Sequence, residues 1–145
     1  MQRRDFLKGA CRICLLGAAG ATAIDIASCT PGVGNALSKP TVNDNTIQVP
    51  LSMFDNTPIQ VISPKNYAFE IAVEKKQDGT YEALLLRCTH YPNQLMPTGN
   101  GYTCNVHGSR FNKEGKVVKG PAATSLKKLT TSITGQNLLV NLIKI

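Results

Sequence analysis

Two short motifs constrain this chain more than any other feature: Cys88-Thr89-His90 and, after 13 intervening residues, Cys104-Asn105-Val106-His107. Together they read C-x-H…C-x-x-H, two thiols and two imidazoles delivered in matched pairs. Side chains of these types bind metals once their donor atoms are deprotonated. Two centres use two of each. One is a tetrahedral zinc site. The other is a [2Fe–2S] cluster in which two Cys hold one iron and two His hold the other. A zinc finger carries C-x-x-C and then a helix bearing H-x-x-x-H. Here each pair mixes one Cys with one His on strand-like sequence, which favours the cluster. A nucleophilic Cys/His catalyst needs one activated Cys and leaves the second pair without a purpose.

The residues that follow extend the pattern. His107-Gly108-Ser109-Arg110-Phe111 is followed by Gly115 and then by Gly120-Pro121-Ala122. This stretch resembles the C-x-x-H-G-S-x-F/Y segment and downstream proline loop of the Rieske [2Fe–2S] family, and the resemblance runs from Thr46 to Ile145. It implies an all-β fold, a Rieske-type antiparallel β sandwich or small barrel with two cluster-binding loops at one end. It also implies one [2Fe–2S] cluster per subunit and one-electron transfer between redox protein partners. By resemblance, Cys88 and Cys104 would hold the inner iron, and His90 and His107 the outer iron near the surface. Ser109, Gly108 and Pro121 would stand around the cluster. Gly108 and Gly120 would let the backbone pass close to it, whereas Gly99, Gly101 and Gly115 read as ordinary turn glycines.

Departures from the family pattern carry information. High-potential members have an extra Cys in each loop, and the two form a disulfide. Asn93 and Val106 stand at those positions, so that bridge is expected to be absent. Ser109 matches a hydroxyl that hydrogen-bonds the cluster, but Phe111 stands where high-potential members have Tyr. Hydrogen bonds to sulfur favour the reduced, more negative centre. The expected potential is therefore intermediate within a family range of roughly −150 to +300 mV. The spacer between the motifs is shorter than usual, and Ala123 replaces a second Pro of the proline loop.

The start of the chain points to export. Arg3-Arg4-Asp5-Phe6-Leu7-Lys8 resembles a twin-arginine signal. The apolar run 13–24 falls short of the roughly 20 residues a membrane span needs, so residues 1–28 read as a signal peptide. Ile26-Ala27-Ser28-Cys29 resembles a lipobox, making Cys29 a candidate lipid anchor in the membrane. An ordinary cleavage site and an uncleaved anchor are the alternatives. Cys11 and Cys14 fall inside the leader and receive no function. Export in the folded state suits a cluster assembled on reduced thiols in the cytoplasm. The expected location is periplasmic or on the outer surface, tethered to the membrane. Residues 29–45 contain Pro31, Gly32, Gly34 and Pro40 without periodicity and read as a flexible tether. Residues 46–145 would form the cluster domain.

Beyond Thr46 the pattern is one of short strands. Ile47, Val49 and Leu51 alternate with polar neighbours, Ile59–Ile62 forms a second run, and Tyr67–Val73 alternates through Phe69 and Ile71. Asp78-Gly79 signals a hairpin, and turns are marked at Gly99-Asn100-Gly101, at Gly115 and at Gly135-Gln136. No segment shows a helical period, which indicates an all-β domain. The net charge is +7, but the cations are scattered without interleaved aromatics, which argues against nucleic acid. Steering toward an acidic partner protein fits better. No carboxylate pair or Ser/His/Asp set stands out, so the chain reads as an electron-transfer component without a substrate pocket of its own. Three settings follow from the resemblance. Against a quinol-oxidising bc-type complex count the missing disulfide cysteines and the short leader. Against a ring-hydroxylating oxygenase ferredoxin counts export. The favoured setting is a periplasmic or surface-tethered carrier, or a small subunit of an exported oxidoreductase such as arsenite oxidase. The alternative is an exported structural zinc domain.

Overall fold

The computed structural model describes residues 40–145. The leader 1–28, the candidate anchor Cys29 and residues 29–39 of the expected tether lie outside the described residues. Residues 40–45, expected to continue that tether, are laid on the domain instead. The Lys65 N–H donates to the Pro40 carbonyl (3.1 Å), and the Leu142 N–H to that of Asn45 (2.6 Å). Val42 packs against the core. The polar composition hid this, because backbone hydrogen bonds carry most of the attachment.

Eleven strands form three antiparallel sheets among the described residues. In the first sheet β1 (Thr46–Pro50) and β10 (Thr131–Thr134) flank β11 (Asn137–Asn141). The second runs β2 (Ile59–Ile62), β3 (Ile71–Lys75), β4 (Tyr81–Leu85), β9 (Lys128–Leu129). The third is a meander of β5 (Met96–Thr98), β6 (Gly101–Thr103), β7 (Arg110–Asn112) and β8 (Val117–Lys119). The turns marked by Asp78-Gly79, Gly99-Asn100, Gly115 and Gly135-Gln136 all join neighbouring strands.

Two expectations are corrected. Leu51 does not extend β1 but opens a 3-10 turn, Leu51–Phe54, which buries Phe54. Tyr67–Glu70 is not strand. The Glu70 N–H is taken by the Gln94 side chain at 3.0 Å, and its carbonyl accepts from Leu86. Tyr67 and Phe69 pack on the core from this loop, so their alternation reflects burial without a ladder.

The buried side chains form two cores. One lies between the first two sheets and holds Ile47, Val49, Ile71, Val73, Leu85 and Val140, among others. The second lies between the outer face of the second sheet and the third sheet, and holds Leu84, Leu86, Leu95, Tyr102, Phe111 and both motif cysteines. Strands β3 and β4 serve both. Ile71 and Val73 face the first core and Ala72 the second, while Ala83 and Leu85 oppose Leu84. A strand with two buried faces needs a continuous apolar run instead of alternation, which is what Ala83-Leu84-Leu85-Leu86 supplies. Each such Leu contributes on the order of 1.5–3 kcal/mol by leaving water.

Candidate metal centre

Three loops converge at one end of the second core. The first, Cys88–Asn93, follows β4. It is closed by the Cys88 N–H donating to the Asn93 carbonyl (2.9 Å) and, behind it, Leu95 N–H to Leu86 carbonyl (2.9 Å). The second, Cys104–Ser109, joins β6 to β7. It closes through Cys104 N–H to Ser109 carbonyl (2.8 Å) and Gly108 N–H to Cys104 carbonyl (2.9 Å). Gly108 sits at φ +78°, a conformation that L side chains rarely adopt. An added Cβ there would meet no protein atom within 4 Å, so the backbone turn, and not protein crowding, calls for glycine. The third loop runs from Gly120 to Lys127 between β8 and β9.

Cross-loop hydrogen bonds fix the three together. The Ala122 N–H donates to Ser109 Oγ at 3.0 Å in a buried position. The Thr89 hydroxyl donates to the Thr124 carbonyl at 2.6 Å. Ser109 is fully buried. Pro121 is exposed, whereas Ala122 and Leu126 of the same loop are buried in the second core.

Cys88 and Cys104 are both buried and both free, with no disulfide between them. Burial alone would raise the Cys88 thiol. Hydrogen bonds from the Tyr91 and His90 backbone and from the Cys104 and Ser109 side chains outweigh it and hold Cys88 below its ordinary range. Both cysteines belong to the same buried cluster of side chains. His90 and His107 lie outside them and are exposed. Their rings meet edge to face, with centroids 4.9 Å apart at 85°. Two imidazole nitrogens about 2.0–2.1 Å from one metal ion are neighbours, and rings splayed outward from that ion would have such a separation. Tyr91 covers His107 edge-on at 6.3 Å.

The four predicted ligand residues are therefore brought together as an inner sulfur pair and an outer imidazole pair. They could hold a binuclear cluster with two ligands per iron. Among the described residues, no group of three or more His, Cys, Asp or Glu is placed to hold a metal ion. Asn93 and Val106 carry no bridge. Asn93 Nδ2 is buried without a partner among the described residues, a donor suited to a site that brings acceptor sulfurs. The cross-loop bonds of Thr89 and Ala122 were not foreseen, since they join residues far apart in sequence.

A family model described as the Rieske [2Fe-2S] domain matches residues 51–130. The cytochrome b6-f complex iron-sulfur subunit 2 of Synechocystis sp. is 46% identical over 56 residues, 37% of this chain and 31% of that protein. The chloroplastic cytochrome b6-f complex iron-sulfur subunit of Volvox carteri is 45% identical over 53 residues, 34% and 26% of the two chains. The matches span about a quarter to a third of the length of these relatives. Among solved structures, the plasma membrane Rieske protein PetC3 from Synechocystis PCC 6803 superposes with a TM-score of 0.51 at 25% identity, covering 63% of this chain and 94% of that one. A naphthalene 1,2-dioxygenase superposes with a TM-score of 0.54 at 17% identity, covering 72% and 27%, a likeness of fold alone.

Proposed function

This chain belongs to the Rieske [2Fe–2S] domain family, and on that premise we propose that it is a one-electron carrier, acting as an exported carrier or as a small subunit of an oxidoreductase complex. Cys88 and Cys104 hold the inner iron and His90 and His107 the outer one. The observation that carries this reading is the sorting of the four side chains: two buried cysteines with no disulfide between them, and two exposed imidazoles meeting edge to face.

The bound cluster supplies a site that accepts and releases one electron at a potential above that of all-thiolate clusters. The chain does the rest. Burial of the two cysteines excludes water from the inner side. The exposed imidazoles give a partner protein its shortest approach. Ser109 accepts a hydrogen bond from the Ala122 N–H, so its own proton is free for sulfur. The Thr89–Thr124 bond holds the first ligand loop to the third.

Export through a twin-arginine leader, and a lipid anchor at Cys29, remain part of the proposal. They are supported by the leader sequence and by the likeness to a plasma membrane Rieske protein. Among the described residues no helix is long and apolar enough to cross a membrane. Fractionation of cells making wild type and Cys29→Ala tests the anchor, which predicts loss of the variant from the membrane fraction.

Electron paramagnetic resonance of the dithionite-reduced full-length protein, with iron and zinc assayed, tests the central claim. The expected result is a reduced [2Fe–2S] signal at the low average g of histidine-ligated clusters, with two irons per chain. Bound zinc with no iron and no signal would replace the carrier by a structural zinc domain.

A further inference from the structure

Charge is unevenly divided over the described residues. The segment 86–127, which builds the metal centre and the third sheet, carries Arg87, Arg110, Lys113, Lys116, Lys119 and Lys127 against Glu114 alone. The other described residues hold six carboxylates and five cations. The ion pairs among the described residues, Lys76–Glu74 and Lys128–Glu82, both lie outside this segment. All its cations except the half-buried Arg87 are exposed.

Two of them stand in a particular place. Arg110 and Lys119 are directly opposite each other across β7 and β8. Like charges in that position repel and weaken the strand pair. Arg110 follows the second ligand loop immediately, and Lys119 immediately precedes Gly120-Pro121, so the pair flanks the ligand end of the third sheet. Beside it lies a shallow hollow of about 420 Å³, with Tyr102, Phe111 and Val118 on its walls and Arg110 among its lining. Val118 is two-thirds exposed. The oxidised centre adds no opposing charge, since two ferric ions, two sulfides and two thiolates sum to zero.

We propose that this face of β7 and β8 is the docking surface for a redox protein with an acidic surface, and that Arg110 and Lys119 anchor it. The proposal rests on the carrier reading above and names the partner's chemistry. A carboxylate-bearing surface seated on the pair relieves their mutual repulsion, and its redox group then lies beside the exposed imidazoles. Opposite charge also raises the encounter rate, most strongly at low salt.

The test uses full-length, cluster-loaded protein in three forms: wild type, R110Q/K119Q and K65Q/K144Q. The last pair removes the same charge from exposed lysines outside the segment. The paramagnetic signal is recorded first; its absence from wild type would remove the carrier reading before any rate is measured. Stopped-flow oxidation of the reduced protein then follows with ferricyanide, with tris(phenanthroline)cobalt(III), and with ferricyanide in the presence of poly-L-glutamate. In R110Q/K119Q ferricyanide oxidation should slow about tenfold at low salt, and the difference should fade when salt screens it. The cobalt reagent should react faster with it. Poly-L-glutamate should slow wild type and K65Q/K144Q but not R110Q/K119Q. Equal effects of the two double substitutions would show that net charge alone matters, and would overturn the docking surface.

Discussion

Removing the Ser109 hydroxyl tests the link between local geometry and redox behaviour. Ser109 is fully buried, and its Oγ accepts the Ala122 N–H at 3.0 Å. The oxygen has one proton to give, and with the backbone on its acceptor side that proton is expected to go to Cys88, whose thiol Ser109 helps to lower. Ser109→Ala has two costs. The buried Ala122 N–H loses its acceptor, at about 1–3 kcal/mol of stability. The sulfur loses a donor that binds more strongly when the centre carries an extra electron. A hydrogen bond to a charged group exceeds one to a neutral group by about 1 kcal/mol. For one electron, about 1.4 kcal/mol corresponds to about 59 mV, so the potential should fall by roughly 40 mV. A redox titration monitored by paramagnetic resonance reads the second effect, and urea unfolding the first. A potential within about 10 mV of wild type, in a variant that retains its cluster, would refute the claim that this proton reaches the sulfur.

Gly101→Ala should be far more damaging than an ordinary turn substitution. Its Cβ would lie 2.1 Å from the Phe111 carbonyl at φ +143°, so a loss above about 3 kcal/mol is expected in urea unfolding, with reduced iron content. Phe111→Tyr restores the hydroxyl of the high-potential pattern at a buried position and should raise the potential by about 40 mV, read by the same redox titration. Burial, opposed by the hydrogen bond to Ile143 and by Arg87, raises Tyr67 above its ordinary value of 10.0. The unfolded chain therefore ionises first; stability holds below about pH 10 and falls as pH climbs through the raised folded value. Urea unfolding of Tyr67→Phe at pH 8 and above 10 should show a weaker alkaline loss than wild type.

The candidate ligands were legible as candidates because four chemically committed side chains stand in two tight local patterns, and local patterns survive folding. The hairpin turns were legible for the same reason: Asp78-Gly79 and Gly135-Gln136 act over a few residues. What sequence could not give was pairing at a distance. Nothing near Thr46 shows that it lies opposite Asn141, or that the Ala122 N–H will find Ser109. Gly101 read as a turn glycine because the Phe111 carbonyl against it comes from the next strand. Gly115 read the same way, yet a Cβ there would press on Leu126 at 3.0 Å and on Leu84 at 3.3 Å. Tyr67 and Phe69 imitated a strand because period-two burial is the only part of a strand that sequence displays.

The wall formed by β3 and β4 has a consequence for how such a protein can change over generations. Successive residues along it answer to different masters: Leu85 to the outer sandwich, Leu84 and Leu86 to the half that houses the redox loops. Substitutions at alternate positions are then felt by one half and largely hidden from the other, so the redox half can drift while its support is conserved. A one-residue insertion in the wall does the opposite. It hands each half its neighbour's side chains at a stroke, so lineages should tolerate exchange of residues here far more readily than any change in length.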